Sequence, residues 1–235
     1  MAKGDIVTRE VAYPGRACAL KAYVAEPAET LSAPAVIVVQ EWWGLNEHIR
    51  DLARRLAREG YFAIAPDLYS RQGHKVATDP NEAARLMGGL KKDDGITDLQ
   101  TTVEWLRAQK QTQSKRIGIT GFCMGGSYAL LLPCESKEIS AAAPFYGEIP
   151  PDEKLQHLSC PIFYAYGEND GWIQRADVER LTAALKKFNK QGEVKIYQGC
   201  SHGFFNDTRP DVYRPEEAKD AWERTLKLFA ANLKG

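Results

Sequence analysis

The sequence has no excess of either charge: 31 Lys and Arg stand against 31 Asp and Glu, a formal net charge of +0. A balanced chain without a basic cluster carries no electrostatic footprint for nucleic acid, and no basic amphipathic segment suits a membrane surface. Long apolar runs are missing too; none approaches the roughly 18 residues of a membrane span. The opening Met1-Ala-Lys-Gly-Asp5 is too polar for a signal peptide. Cysteine is sparse: Cys18, Cys123, Cys134, Cys160 and Cys200 are odd in number and form no C-x-x-C pair. That argues against a disulfide framework, a zinc ribbon and a thioredoxin-like motif, and points to reduced thiols in a cytoplasm. No glycine-rich stretch has the lysine of a phosphate loop or the spacing of a dinucleotide fingerprint, and no metal-ligand cluster is visible. The expectation is a chain that uses no metal and no cofactor.

What is present is an alternation of strand and helix patterns. The 235 residues, 44% of them hydrophobic, suffice for one large α/β domain over 1–235. Residues 6–12 and 17–25 read as an antiparallel pair turned at Pro14-Gly15. Pro34 to Gln40 is a buried strand by its β-branched run. Residues 46–59 are helical, with Ile49, Leu52 and Leu56 on one face and Gly60 ending the helix. Tyr61 to Ala65 is the next strand, and 71–80 is a polar loop. Helices follow near 81–90 and 95–109. Strands recur at 116–120, 139–145, 161–166 and 193–198, with helices near 173–188 and 215–233. Alternation of this kind predicts a mainly parallel sheet with helices on both faces, its chemistry at the carboxyl ends of the strands.

The strand at 116–120 runs into Gly121-Phe122-Cys123-Met124-Gly125-Gly126 and then into the helical Ser127-Tyr-Ala-Leu-Leu-Leu132. This is the nucleophile elbow of an α/β-hydrolase, with a thiol in place of the usual hydroxyl. Its glycines give backbone clearance, and the following helix N-terminus favours a thiolate. Two later strand ends supply the partners. Gly167-Glu168-Asn169-Asp170 follows one, and Gly199-Cys200-Ser201-His202-Gly203 follows the other. The order nucleophile, acid, histidine is that of the fold. His202 can take the thiol proton, and Asp170 can orient its ring. Asp170 is preferred to Glu168 because a triad acid commonly lies a few residues past its strand. His48, His74 and His157 lack such a context. Gln40-Glu41-Trp42-Trp43-Gly44 lies at another strand end. In this fold that loop supplies one oxyanion-hole N–H, assigned to Trp42, and the residue after the nucleophile, Met124, supplies the other. Trp42 and Trp43 also suit an apolar wall for a planar substrate.

These segments resemble the dienelactone hydrolase family over nearly the whole chain. The most specific are Gln40-Glu41-Trp42-Trp43-Gly44, Ala65-Pro66-Asp67-Leu68-Tyr69, Gly121-Phe122-Cys123-Met124-Gly125-Gly126, Phe145-Tyr146-Gly147, Gly167-Glu168-Asn169-Asp170 and His202-Gly203-Phe204. The resemblance implies a Cys123–His202–Asp170 triad that opens an unsaturated lactone through a thioester. It also implies that Glu41 holds the resting thiol neutral and gives way when substrate arrives, which limits oxidation of a standing thiolate. Trp43, Tyr146, Arg85 and Phe204 are the candidate substrate-binding residues. The expected partner is a small lactone or ester, with no nucleic acid and no membrane, on a monomer or weak homodimer. One departure stands out. The family clamps its substrate carboxylate with two arginines, one shortly after the histidine, where this chain has Phe204-Phe205-Asn206-Asp207 and reaches its first arginine only at Arg209. A guanidinium clamp is sensitive to position, so a broader esterase or thioesterase is the alternative.

Overall fold

The protein is described from a computed structural model covering residues 4–29 and 32–234, without the side chains of 113–115. Residues 1–3 of the polar N-terminus lie outside the described residues. The chain divides into two compact units, Met1–Gly118 and Ile119–Gly235.

In the first unit β1 (Ile6–Pro14) pairs antiparallel with β2 (Ala19–Pro27), as the Pro14-Gly15 signal predicts. β2 pairs antiparallel with β4 (Phe62–Pro66), and β4 lies parallel to β3 (Ala33–Val39). All seven residues of β3 are buried, so the β-branched run faces protein on both sides. From Arg9 to Pro14, β1 alternates half-buried or buried positions with exposed ones, as a strand with one wet face does. Helix α1 (Glu47–Arg58) starts where Asn46 Oδ1 accepts the Ile49 N–H at 3.2 Å, and it buries Ile49, Leu52, Ala53 and Leu56. Gly60, at φ 88°, takes the left-handed turn that ends the helix. A 3₁₀ turn at Ser70–Gln72 opens the expected loop, and α2 (Pro80–Gly89) begins at Asp79, whose carboxylate caps the Asn81 and Glu82 amides. Helix α3 (Lys92–Ala108) starts three residues before the predicted boundary. Gly95 is a poor helix former and blurs the signal, while Asp93 and Asp94 complement the helix dipole in its first turn.

The division falls within β5 (Thr112–Phe122), which is longer than the apolar stretch 116–120 suggests because its polar start carries no hydrophobic signal. The second unit continues with α4 (Met124–Glu135), β6 (Ile139–Phe145), a short α5 (Asp152–Leu155), β7 (Ile162–Asn169), α6 (Arg175–Lys187), β8 (Gly192–Ser201) and α7 (Pro215–Leu233). β6, β7 and β8 are parallel neighbours. Helix α5 escapes the sequence because four residues carry no periodicity. β7 and β8 each run three residues past the predicted ends. Polar Gly167–Asn169 and Gly199–Ser201 read as loop, but cross-strand pairing through a bulge keeps them in the sheet up to Asn169↔Ser201. A Cβ on Gly167 would stand 2.7 Å from the Cys200 carbonyl oxygen, so only glycine fits that close passage. Helix α4 is buried from Met124 to Cys134 with no polar face. Its last turn contains Pro133, whose carbonyl accepts the Ser159 N–H at 3.0 Å and lies 2.8 Å from the Ser159 hydroxyl. Among the described residues no helix is long and apolar enough to cross a membrane.

The first unit is tied by a buried ion pair. Arg71, at the 3₁₀ turn, contacts Asp98 of α3 through Nη2–Oδ1 at 2.6 Å and Nε–Oδ2 at 3.1 Å. The Asp98 side chain is 2% exposed, and burial pushes its carboxyl up even beside the guanidinium. Removing one partner of such a pair strands the other charge. We expect Asp98→Ala to lower the unfolding free energy by about 3 kcal/mol in urea titration. A loss under about 1 kcal/mol would mean that solvent already screens the pair.

Candidate active site

Cys123 is the single residue between β5 and α4, with φ 56° and ψ −122°. A non-glycine residue there costs about 1–3 kcal/mol, so its surroundings must hold it. They do so by backbone contacts. The Cys123 N–H donates to the Phe145 carbonyl at 3.1 Å, and its own carbonyl accepts from Gly126 N–H (2.9 Å) and Ser127 N–H (3.3 Å). Gly126 and Gly147 meet backbone to backbone. A Cβ on Gly126 would lie 2.2 Å from the Phe145 oxygen, and one on Gly147 would lie 2.1 Å from Ser127 N. The Ser127 hydroxyl accepts the Glu148 N–H at 2.8 Å and fastens the same seam. Cys123 is 8% exposed, and Met124, the first residue of α4, is 5% exposed.

Asp170 and His202 directly follow β7 and β8, just past the paired Asn169 and Ser201. The strand register therefore delivers them as neighbours: Asp170 Oδ2 lies 2.8 Å from His202 Nδ1. Asp170 Oδ1 accepts the Trp172 and Ile173 amides at 2.8 and 2.9 Å. These donors fix the carboxylate, whose side chain is 0% exposed while that of His202 is 24% exposed. A carboxylate at Nδ1 accepts a hydrogen bond from that nitrogen's N–H and leaves Nε2 as the acceptor of a neutral imidazole. Glu168 instead accepts the Gly199 N–H at 3.0 Å.

An aromatic cluster joins the histidine loop to the elbow. Phe122 stacks on Phe205 with centroids 5.2 Å apart, and Phe205 meets Phe145 at 4.9 Å. Tyr146, with φ 40°, sets its ring edge-on to His202 at 4.9 Å. Phe204 is fully buried between Tyr146 and Tyr197. Cys123, Asp170, His202, Tyr146 and Phe204 all lie in the second unit, where Asp170 and Tyr146 contact His202 and Phe204 contacts Tyr146. Trp172 escaped the sequence reading; its ring stands edge-on to His202 at 5.4 Å and is 36% exposed. The available signal was its place two residues after Asp170, inside the turn that the carboxylate closes.

In the first unit Glu41 is buried just past β3, and the Trp42 and Trp43 rings pack edge to face at 5.1 Å. Arg85 lies on α2 with its side chain 60% exposed and Glu82 4.0 Å away. Arg209 binds Asp211 at 2.7 Å on the surface.

A cysteine at a strand-to-helix elbow, with an acid–histidine pair on later parallel strands, defines an α/β-hydrolase. Residues 20–233 match the model of the dienelactone hydrolase family, and the chain belongs to that family. It is 37% identical over 245 aligned positions to a Salmonella typhimurium protein named "Putative carboxymethylenebutenolidase", spanning 97% of this chain and 88% of that one. An Aquifex aeolicus protein of the same name is 34% identical over 224 positions, spanning 92% and 94%. The crystal structure titled "Putative Dienelactone Hydrolase from Klebsiella pneumoniae" superposes with a TM-score of 0.89 at 34% identity, covering 97% of this chain and 99% of that one. The enzyme class is that of carboxymethylenebutenolidase-like carboxylic ester hydrolases.

Among the described residues no cysteine is in a disulfide. Burial pushes the Cys134 and Cys160 thiols up to about 12 and the Cys200 thiol to about 11. Raised values keep these thiols neutral until the pH approaches them, so at pH 8 roughly one part in a thousand or less is thiolate. Iodoacetamide at pH 8, read by peptide mass spectrometry, should modify Cys123 well ahead of all three. Equal labelling of Cys134 or Cys160 in folded protein would contradict this.

Proposed function

We propose that the protein hydrolyses a dienelactone-type unsaturated lactone with Cys123 as nucleophile, His202 as base and Asp170 as the group that orients His202. The observation that carries this reading is the 2.8 Å contact between Asp170 and His202 Nδ1, in the unit that holds Cys123 in a left-handed elbow. His202 Nε2 takes the thiol proton as sulfur attacks the lactone carbonyl carbon. The tetrahedral oxyanion is met by the Trp42 and Met124 amides, the assignment the fold implies. Collapse breaks the ring C–O bond and expels an enolate, which needs little proton assistance, leaving a thioester on Cys123. The enolate, still on the acyl chain, then takes the former thiol proton from His202, which as neutral base deprotonates a water. The water attacks the thioester carbonyl, the C–S bond breaks, the acid leaves and the sulfur recovers its proton from His202. Glu41 belongs to the same proposal as the resting partner of the thiol. Trp43, Tyr146 and Phe204 are proposed for the substrate side. The molecule is taken to act in the cytoplasm as a monomer or weak homodimer.

A neutral ester or lactone is a second reading of the substrate. It is favoured by the exposed setting of Arg85 and by the engagement of Arg209 with Asp211, since neither resembles a preset carboxylate clamp.

Turnover of cis-dienelactone and p-nitrophenyl acetate tests both readings. Cys123→Ala should lose about three orders of magnitude or more on whichever substrate is used, and Asp170→Asn roughly 10³-fold. Full activity in Cys123→Ala would sink the nucleophile assignment. Turnover of the aryl ester alone would keep the chemistry and move the substrate to the neutral class.

A further inference from the structure

The turn Glu41–Gly44 is built to hold its peptide planes still. Peptide units are planar, so fixing a carbonyl also fixes the N–H of the next residue. The Glu41 carbonyl accepts the Gly44 N–H at 3.2 Å, which fixes the plane that carries Trp42 N–H. The Trp42 carbonyl accepts the Tyr69 hydroxyl at 2.9 Å, and the Trp43 carbonyl accepts the Ala77 N–H at 2.8 Å. Three successive planes are thereby pinned, two of them by the segment that follows β4. That segment presses close: a Cβ on Gly44, at φ 97°, would meet the Lys75 carbonyl oxygen at 2.6 Å.

The clamping segment is itself fastened to a buried carboxylate. Asp67, 6% exposed, accepts the Tyr69 N–H on Oδ1 at 2.8 Å and contacts His74 Nδ1 through Oδ2 at 2.9 Å. The His74 N–H donates to the Tyr69 carbonyl at 3.1 Å, and His74 sits in the left-handed region at φ 59°. The Leu68 N–H donates to Gln40 Oε1 at 3.2 Å, a further tie between the ends of β3 and β4. Tyr69 is fully buried, so its hydroxyl is aimed rather than free to swing.

We propose that Tyr69 is a positioning residue for the backbone donors of the Glu41–Gly44 turn, and that the Asp67–His74 pair holds the segment that clamps this turn. The Tyr69 hydroxyl fixes the plane that carries Trp43 N–H, which shares the Trp42 Cα with the plane that carries Trp42 N–H. The catalytic consequence therefore passes through the turn and rests on the reading that Trp42 N–H stabilises the oxyanion. A donor that must meet a charge formed only in the transition state acts through its fixed direction, so loosening the turn affects kcat and spares KM.

The test uses the full chain with Tyr69→Phe, which removes one hydroxyl and keeps the buried ring, beside His74→Ala and His74→Asn. Asparagine tolerates left-handed backbone, and its amide N–H can stand in for Nδ1–H. Three readouts are taken: amide hydrogen exchange at residues 42–44, kcat and KM on p-nitrophenyl acetate, and the alkylation rate of Cys123, which needs no oxyanion donor. Tyr69→Phe should speed exchange and lower kcat, each by about tenfold, with KM and alkylation unchanged. His74→Ala should act likewise, and His74→Asn should restore both. Unchanged exchange at 42–44 overturns the clamp. Faster exchange with unchanged kcat, or no turnover even in wild type, leaves the clamp standing and overturns its catalytic use. Loss of kcat in step with alkylation places the defect at the thiol and overturns the positioning role.

Discussion

The register between β7 and β8 is the constraint on which the proposed chemistry depends. Two parallel strands paired at Asn169 and Ser201 release their next residues side by side, and those residues are Asp170 and His202. The bulge beyond Gly167 makes this possible, because the strands must stay paired through polar sequence and pass closely at Cys200. Side-chain periodicity in a strand is two, so a slip of one residue would turn the carboxylate away from the imidazole. Asp170 completes the arrangement by accepting two amides from the turn it begins, which costs the site no mobile side chain.

The elbow answers a different problem, that of holding a strained residue by its backbone. Every observed hydrogen bond to Cys123 described above is made by its main chain, and the seam below it is glycine against glycine. Packing of this kind opposes the strain of the turn by backbone contact. The aromatic cluster then supplies what glycine cannot, namely apolar surface. Phe122, Phe145, Tyr146, Phe204 and Phe205 bury the loop that carries His202 against the strand that leads into the elbow. The other buried thiols lie in the same unit, and desolvation keeps them neutral.

Legibility in the sequence followed the physical source of each signal. β3 and α1 were plain, since an all-buried β-branched run and an apolar stripe with an asparagine cap are local properties. The elbow was plain because its glycines are required by local geometry. The ends of β7 and β8 were not, because Gly167–Asn169 and Gly199–Ser201 have no strand propensity and are held by cross-strand pairing alone. Asp170 could be placed near His202 by order along the chain, yet only coordinates give the hydrogen bond that joins them. Trp172 was overlooked because an aromatic residue in a turn has no pattern of its own, and its meaning comes from the imidazole beside it. Tyr69 was legible as part of a motif, but its hydroxyl's target lies 27 residues earlier.

Helix α4 has a mechanical consequence. It is buried on every side, so no polar face fixes its rotation or its axial position against water. Its placement is set at its ends: the elbow at Cys123, and the Pro133 carbonyl held by Ser159. Twelve residues at 1.5 Å each make a rod of about 18 Å. One continuous helix therefore joins the turn around Ser159 to the tip of the elbow.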